Sequence, residues 1–320
     1  MTRVVGSIAI AHPAKHWLAK FANLNAEPDR GRGVAPHKPL LLFCVLDMLD
    51  AGLLADGRLE MSAELVFRFE TYWSFVLERR HRKGDIRLPF HALGSIYDRV
   101  WQRFDEDGRL SLGRDSTRVC LIDGSLLLLL KNATFRKKFR QVLLSGRYFT
   151  PSERVGLATA MKMPPPDEAD VTKLQEDATA YEASQRKGRT QRFKVQVLTR
   201  YGFTCALTGY RFTTERGNLV EAAHIHQRAD SLNDDPQNGL ALTPDSHWMF
   251  DAGMWSLNEH RRVIVASERA FTEWCLPGGF RLRELAGREL FFRDGCSFRP
   301  DWRHFEWHRR QRFWDQAKQL

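Results

Sequence analysis

The sequence predicts an α+β protein of two domains, a mostly helical amino-terminal domain followed by a domain of short strands and helices. Three observations lead to this prediction. A chain of 320 residues is longer than a single hydrophobic core usually supports. Apolar residues recur at helical spacing in the first half, and the segment "MPPPDEAD" from Met163 breaks that pattern. We therefore expect domains over residues 1–162 and 189–320, joined by a linker with a polar helix over 163–188.

The first domain contains three stretches with helical patterns. "PHKPLLLFCVLDMLDAGLL", from Pro36, places leucines on one face, and we expect this helix to end near Gly52. "SAELVFRFETYWSFVLERR" has Ser62 as a candidate N-cap, and "IYDRVWQRF" is predicted as a third helix. "RVCLIDGSLLLLL" is predicted to form a hairpin that turns at Asp123 and Gly124, because this pair suits the positive φ angles of a tight turn.

The second domain begins with a predicted helix, "FKVQVLTRYGF", and later has "MWSLNEHRRVIVAS", which is typical of two paired strands around a polar turn. Near its end, "DWRHFEWHRRQRFW" places aromatic residues among basic ones. Helical spacing of aromatic residues favours packing in the core over a platform for stacked bases.

The composition favours a cytoplasmic protein with a polyanionic partner. The formal net charge is +10, and basic side chains that neutralise phosphates release counterions and so drive binding. No apolar run approaches the roughly 20 residues that cross a bilayer, so we expect no association with membranes. The five cysteines include no CxxC pair, which argues against disulfides and against a four-thiolate zinc site.

The stretch "VEAAHIHQRADSLNDDPQNGLALTPDSHWMFDAG" carries the residues that one-metal hydrolysis of a phosphodiester requires, namely a base, a cation site and a group that fixes the base. His224 lies in a predicted strand. Asn238 begins an Asn-Gly turn in which the amide can hold the loop beside that strand. His247 and Asp251 share one face of a predicted helix. Taken alone, His224 or Asn238 is better explained by a structural role, but the ordered combination favours a catalytic site.

The segments "AAHI", "NGLAL" and "HWMFDAG" resemble the HNH, or ββα-metal, nuclease family over about residues 189–266. The resemblance implies that His224 is the general base and that Asn238 orients the base and its loop. It also implies that His247 and Asp251 hold a divalent ion. Mg²⁺ or Mn²⁺ suits such an open site rich in oxygen ligands, completed by water and phosphate.

Two positions depart from the family pattern. Ala223 stands where the family often has an acidic ligand, a place that Glu221 or water can take instead. Many members also have a CxxC pair that supports zinc, whereas "CALTG" keeps Cys205 and has Thr208 in the second place. We therefore expect no structural zinc.

In the first domain, "RGRGVAPHKPLLLF" and "DIRLPFHALG" resemble the sulfur-binding domain of enzymes that restrict phosphorothioate-modified DNA, over about residues 13–150. Sulfur is larger, more polarisable and less hydrated than oxygen, so a small apolar cup can prefer it. The alternative explanation is that the first segment is a core helix and the second an ordinary turn. The family also usually has Tyr where this sequence has Leu88, directly before "PF". The resemblance implies Leu88, Pro89 and Ala92 as the cup, His37 and Lys38 as phosphate contacts, and Arg30 and Arg32 as contacts to the backbone or a guanine.

These observations predict a modification-dependent restriction endonuclease of antiviral defence that binds phosphorothioated double-stranded DNA and cuts nearby with a metal-dependent HNH site. One such site cuts one strand, so a double-strand break implies a homodimer or two successive nicks. Two alternatives remain open. In the first, the protein is an HNH restriction enzyme that recognises another mark, such as a methylated base, or unmodified DNA. In the second, it is a non-catalytic DNA-binding regulator with a degenerate metal site.

Overall fold

The computed structural model describes residues 13–26, 28–29, 32–164, 178–214 and 217–314. The chain forms two compact units, residues 1–188 and 189–320. Each unit combines helices with short antiparallel strands, so the predicted α+β class is confirmed. In the part of the chain that the structure describes, no helix combines the length and the apolar character needed to cross a membrane.

The predicted linker coincides in part with residues 165–177, which lie outside the described residues. Its last residues belong to a helix, α9 (Ala178–Arg200), that continues into the second unit.

The first unit surrounds one buried helix, α2, which packs against α3, α5 and α7. Its three-stranded antiparallel sheet has the order β3-β5-β4, and β1 pairs with β2. The helices are α1 (Pro13–Ala22), α2 (His37–Asp50), α3 (Ala63–Trp73), α4 (Leu77–Arg80), α5 (Arg87–Ala92), α6 (Gly124–Leu130), α7 (Ala133–Ser145) and α8 (Pro151–Ala160). The strands are β1 (Pro28–Asp29), β2 (Gly33–Val34), β3 (Arg58–Glu60), β4 (Trp101–Phe104) and β5 (Val119–Ile122).

The first two predicted helices of this unit are confirmed, together with their end signals. Helix α2 ends just before Gly52, whose φ of 72° is accessible to glycine at little cost. Ser62 caps α3, and its side chain accepts a hydrogen bond from the amide of Leu65.

The prediction of a helix over "IYDRVWQRF" was wrong, because its second half is strand β4. Trp101 pairs with Ile122 of β5, and its indole N–H donates to the carbonyl oxygen of Phe90 at 2.9 Å. These partners are remote in sequence, so a local apolar pattern could not indicate them.

The predicted hairpin at Asp123 was also wrong. The Asp123 carboxylate accepts hydrogen bonds from the amides of Ser125 at 2.9 Å and Leu126 at 3.2 Å, and so caps helix α6. The same Asp-Gly pair that favours a tight turn also suits a helix start, and the leucines that follow are helical.

The second unit has the order strand, strand, helix at its centre. Strands β8 and β9 are antiparallel, and α11 follows β9 and packs on both strands. The predicted pair of strands around a polar turn is confirmed as β10 and β11. The elements after α9 are β6 (Thr213–Thr214), β7 (Gly217–Asn218), β8 (Glu221–His224), α10 (Arg228–Ser231), β9 (Gly239–Leu242), α11 (Pro244–Asp251), β10 (Trp255–Leu257), β11 (Val263–Val265) and α12 (Trp302–Gln311), with 3-10 turns at Pro236–Asn238 and Leu282–Leu285.

Helix α12 closes the second unit through buried contacts. His308 is buried, with Nδ1 at 3.0 Å from the Ser256 hydroxyl and Nε2 at 3.0 Å from the Phe250 carbonyl oxygen. Phe305 is buried too and meets the Phe250 ring edge-on at 6.3 Å. The predicted core packing of the aromatic stripe is confirmed for Phe305, whereas Trp302 is partly exposed.

We predict that Gly253→Ala detaches the segment after α12. Gly253 has a φ of 75°, and an added Cβ would overlap the carbonyl oxygen of Arg312. Gly278→Ala is the matched control, since Gly278 has a φ of 80° with no atom near the added Cβ. Both variants lose about 1–2 kcal/mol to backbone strain, and only Gly253→Ala loses more through the overlap. Urea unfolding followed by tryptophan fluorescence measures both losses, and equal losses would contradict the prediction.

Candidate active site

The base candidate, His224, lies at the end of β8 opposite Gly239 of β9. Its ring stacks on Phe193 of α9, with the ring centroids 3.9 Å apart and the planes only 6° from parallel. Its Nε2 lies 3.2 Å from a carboxylate oxygen of Asp234. The imidazole is therefore held on one face and at one nitrogen, and only 18% of the side chain is exposed.

Burial lowers the pKa of His224 below its ordinary value, although the hydrogen bond and the charge of Asp234 act in the opposite direction. The ring is therefore neutral near pH 7, as a general base must be before it accepts a proton. When Nε2–H donates to Asp234, the lone pair lies on Nδ1, which can then accept a proton from water.

Asp234 is a site residue that the sequence analysis missed. Its side chain is only 9% exposed, and one oxygen also accepts a hydrogen bond from Arg228 Nε at 2.9 Å. The acidic run "NDDPQN" was the available signal, but spacing alone does not distinguish Asp234 from Asp235. Asp235 instead caps the 3-10 turn that leads into β9.

Asn238 holds the loop between β8 and β9. Its side chain is fully buried, its oxygen accepts from the backbone amide of His226 at 2.8 Å, and its nitrogen donates to the carbonyl oxygens of His226 and Asn233. These bonds agree with the expected loop-holding function. The partner that contacts the His224 ring, however, is Asp234 rather than Asn238.

The two metal-ligand candidates lie one turn apart on α11. His247 Nε2 is 3.4 Å from Asp251 Oδ2, and His247 Nδ1 is 2.7 Å from Glu221 Oε1. Neighbouring ligands of an octahedral Mg²⁺ are separated by about 3 Å, so the first pair fits one ion. If an ion bound there, Glu221 would fix the tautomer of His247. In contrast to Glu221, Ala223 is fully buried and faces the core.

The arrangement supplies two protein ligands rather than a closed cage. Among the residues that the structure describes, no three His, Cys, Asp or Glu side chains form a group that could hold an ion. An ion at His247 and Asp251 would thus depend on water and phosphate oxygens for its other ligands, as Mg²⁺ commonly does.

Cys205, which was considered in connection with zinc, belongs to a buried group of small polar side chains. Its Sγ lies 3.8 Å from the Thr243 hydroxyl and 3.7 Å from the Ser246 hydroxyl, and these two hydroxyls are 2.8 Å apart. The thiol therefore connects the loop after α9 to the start of α11. The expected absence of a structural zinc stays a prediction.

Helix α12 supports the β8–β9 loop from outside the HNH-like stretch. The His226 ring stacks on Trp307 at 3.9 Å, and Asn233 Nδ2 lies 3.5 Å from His304 Nε2. The backbone amide of Asp301 donates to the Gln237 carbonyl oxygen at 2.9 Å. The sequence pattern favoured packing for these aromatic residues and contained no signal that connects α12 with the site.

In the first unit, the residues expected to form a sulfur cup lie on α5, which packs against α2. Leu88 is 38% exposed and Ala92 is partly exposed, one turn further along the same face. Pro89 is buried and points into the core. The apolar surface that remains open on α5 is therefore formed by Leu88 and Ala92 without Pro89.

The expected phosphate contacts at the start of α2 carry less free charge than the sequence suggests. Burial, together with the charges of Arg80 and Arg82, lowers the pKa of His37 to about 4. Lys38 Nζ forms an ion pair with the buried Asp98 at 2.6 Å. Arg32 is exposed, and Arg30 lies outside the described residues.

Comparison with known proteins identifies a segment of the second unit. Residues 205–258 match the family model described as "HNH endonuclease", so the chain contains an HNH endonuclease domain. One similar solved structure is "Modification dependent TagI restriction endonuclease", with 20% identity and a TM-score of 0.29. The similarity covers 38% of this chain and 37% of that chain, little more than a third of its length. No curated protein matches the sequence.

We predict that Asp234→Asn lowers the pKa of His224 further, because it removes the charge that favours the protonated ring. Asp230→Asn is the matched control, since the charge of Asp230 raises the pKa of His226 instead. NMR titration of the histidine ring protons in both variants measures the two shifts separately. An unchanged or higher pKa of His224 in Asp234→Asn would show that the carboxylate does not act on this ring.

Proposed function

We propose that this protein is a restriction endonuclease for modified DNA, in which the HNH domain hydrolyses one phosphodiester bond with His224 as the general base. His247 and Asp251 are the proposed ligands of a divalent ion, Mg²⁺ or Mn²⁺. The observation that carries the proposal is the arrangement of His224, a neutral ring fixed by Phe193 and Asp234 in a domain that matches the HNH family.

The proposed chemistry follows from these contacts. His224 Nδ1 accepts a proton from the attacking water, and the imidazolium that forms is stabilised by the nearby Asp234 carboxylate. A divalent ion supplies, when bound, the positive charge that stabilises the phosphate and the leaving oxygen. Glu221 keeps His247 in the tautomer that presents Nε2 beside Asp251. The expected products carry 5′ phosphates.

For the first unit we propose the recognition of phosphorothioated double-stranded DNA through the exposed part of α5 and through Arg32. Leu88 and Ala92 form the apolar surface that would favour sulfur over a strongly hydrated oxygen. Arg32, five residues before α2, is an exposed cation that can contact the DNA backbone. Lys38 is better assigned to the fold than to the phosphate, because removal of its charge would leave Asp98 buried without its 2.6 Å partner.

We predict that His224→Ala abolishes the cleavage of modified plasmid while DNA binding is retained. Loss of a general base typically lowers the rate by about 10²–10⁴-fold. Asp251→Asn is expected to weaken Mn²⁺ binding, measured by isothermal titration calorimetry. His224→Ala should leave the Mn²⁺ affinity unchanged. His16→Ala, an exposed histidine in the first unit, is the control. Normal cleavage by His224→Ala would remove the proposed base, and intact plasmid with the wild-type protein and Mn²⁺ would favour a non-catalytic regulator.

We predict that the protein binds a duplex with one phosphorothioate more tightly than the oxygen duplex of the same sequence. Leu88→Asp should remove this preference, because it places a hydrated charge on the apolar surface of α5. Leu128→Asp, on the 68% exposed Leu128 of α6, should leave the preference unchanged. Electrophoretic mobility shifts with both duplexes measure the ratio. Equal affinities of the wild-type protein would exclude sulfur and point to another mark, such as a methylated base, or to unmodified DNA.

A further inference from the structure

The second unit contains an open pocket of about 210 Å³ that takes no part in the proposed chemistry. Its apolar part includes Phe292, Trp302 and Phe305, and its rim includes Arg261 and Arg299. The residues come from the β10–β11 turn, the segment before α12 and α12 itself. We propose that this pocket binds one unpaired nucleotide of the DNA substrate, with the base against the Trp302 ring and the phosphate at the arginines.

Among the three aromatic rings, the partly exposed Trp302 offers the surface for stacking, because Phe305 is buried and Arg299 lies over Phe292. Arg309 lies over the Trp302 ring at 4.4 Å and holds it from one side. The Trp302 and Phe305 rings are stacked with an interplanar angle of 27°, and Phe305 is buried against Phe250. The Phe292 ring stacks near Tyr201 at 5.7 Å, and Tyr201 is fully buried. Fixed rings offer a base a surface for stacking with little loss of side-chain entropy.

The charges at the rim favour an anionic ligand. Arg299 lies over the Phe292 ring at 4.2 Å and donates Nη1 hydrogen bonds to the carbonyl oxygens of Cys296 and Phe298, which hold its guanidinium in place. Arg261 is exposed at the β10–β11 turn. The acidic residue of the lining, Glu289, is paired with Arg262 at 2.9 Å. A phosphate beside an aromatic-bound base matches this combination.

The size of the pocket limits the ligand to one ring system. Its volume of about 210 Å³ is below the roughly 300–1,000 Å³ of pockets for drug-sized ligands. A base inside a duplex has both faces covered by its neighbours, so it can enter only after it is unstacked. An unpaired base has already lost its partner, and its extrusion costs less.

This inference rests on the proposed DNA substrate but not on the cutting reaction. Phe305, which lines the pocket, contacts Phe250, the neighbour of the ligand candidate Asp251. The pocket and α11 therefore share one packed layer within the second unit. A nucleotide held there would fix the position of the strand relative to the domain that cuts it.

The test compares the binding of two fluorescein-labelled duplexes, one fully paired and one with a single bulged nucleotide, by fluorescence anisotropy in EDTA. The wild-type protein is expected to prefer the bulged duplex by about tenfold, the magnitude of one base–aromatic stack. Trp302→Leu and Arg261→Gln should each reduce this preference. Trp274→Leu, at a tryptophan that is 81% exposed elsewhere in the second unit, should keep it. Urea unfolding of each variant shows whether the fold is retained.

Equal binding of the two duplexes by the wild-type protein, or a preference that survives in both folded pocket variants, would overturn the proposal. Competition by free deoxyadenosine monophosphate at micromolar concentration would also overturn it, because the ligand would then be a free nucleotide rather than part of the DNA. Since the assay contains no metal, its result is independent of cleavage. A protein that prefers the bulged duplex but cuts no DNA would contradict the proposed cleavage reaction and leave the proposed nucleotide pocket supported.

Discussion

The three hydrogen bonds of the buried Asn238 amide are the constraint on which the candidate site depends. They fix the backbone of the loop at His226 and Asn233, and the loop carries Asp234 to the His224 ring. Each such bond contributes about 1 kcal/mol, but a buried amide without partners costs about 1–3 kcal/mol more. The loop is polar, so its shape depends strongly on this one side chain.

The remaining support comes from beyond the residues that match the HNH family. Helix α9 provides Phe193 as the stacking partner of His224, and α12 provides Trp307 as the stacking partner of His226. Neither helix lies within residues 205–258. The matched segment therefore contains the candidate chemical groups, whereas the helices before and after it hold the rings of His224 and His226 in place. Geometry of this kind is what preorganises a general base.

The sequence was sufficient to predict the features that depend on local spacing. The strand with His224, the loop-holding asparagine and the helical pair His247 and Asp251 all follow from short-range patterns. The features that the sequence could not indicate depend on contacts between residues that are distant along the chain. Strand β4 looked helical because its pairing with β5 is remote, and Lys38 looked like a free cation because Asp98 is 60 residues away. Asp234 was missed for a related reason, since its neighbour Asp235 has the same residue type and only the folded loop separates their functions.

The neutral His37 and the paired Lys38 bear on how the first unit would meet a polyanion. Neither residue brings an uncompensated positive charge near pH 7, since the pKa of His37 is about 4 and Lys38 is neutralised by Asp98. These two residues would therefore displace few counterions from DNA. The dependence of DNA binding on ionic strength would come instead from other cations of the unit, among them the exposed Arg32 and Arg82. The contribution of His37 and Lys38 would lie in the shape of the surface rather than in long-range attraction.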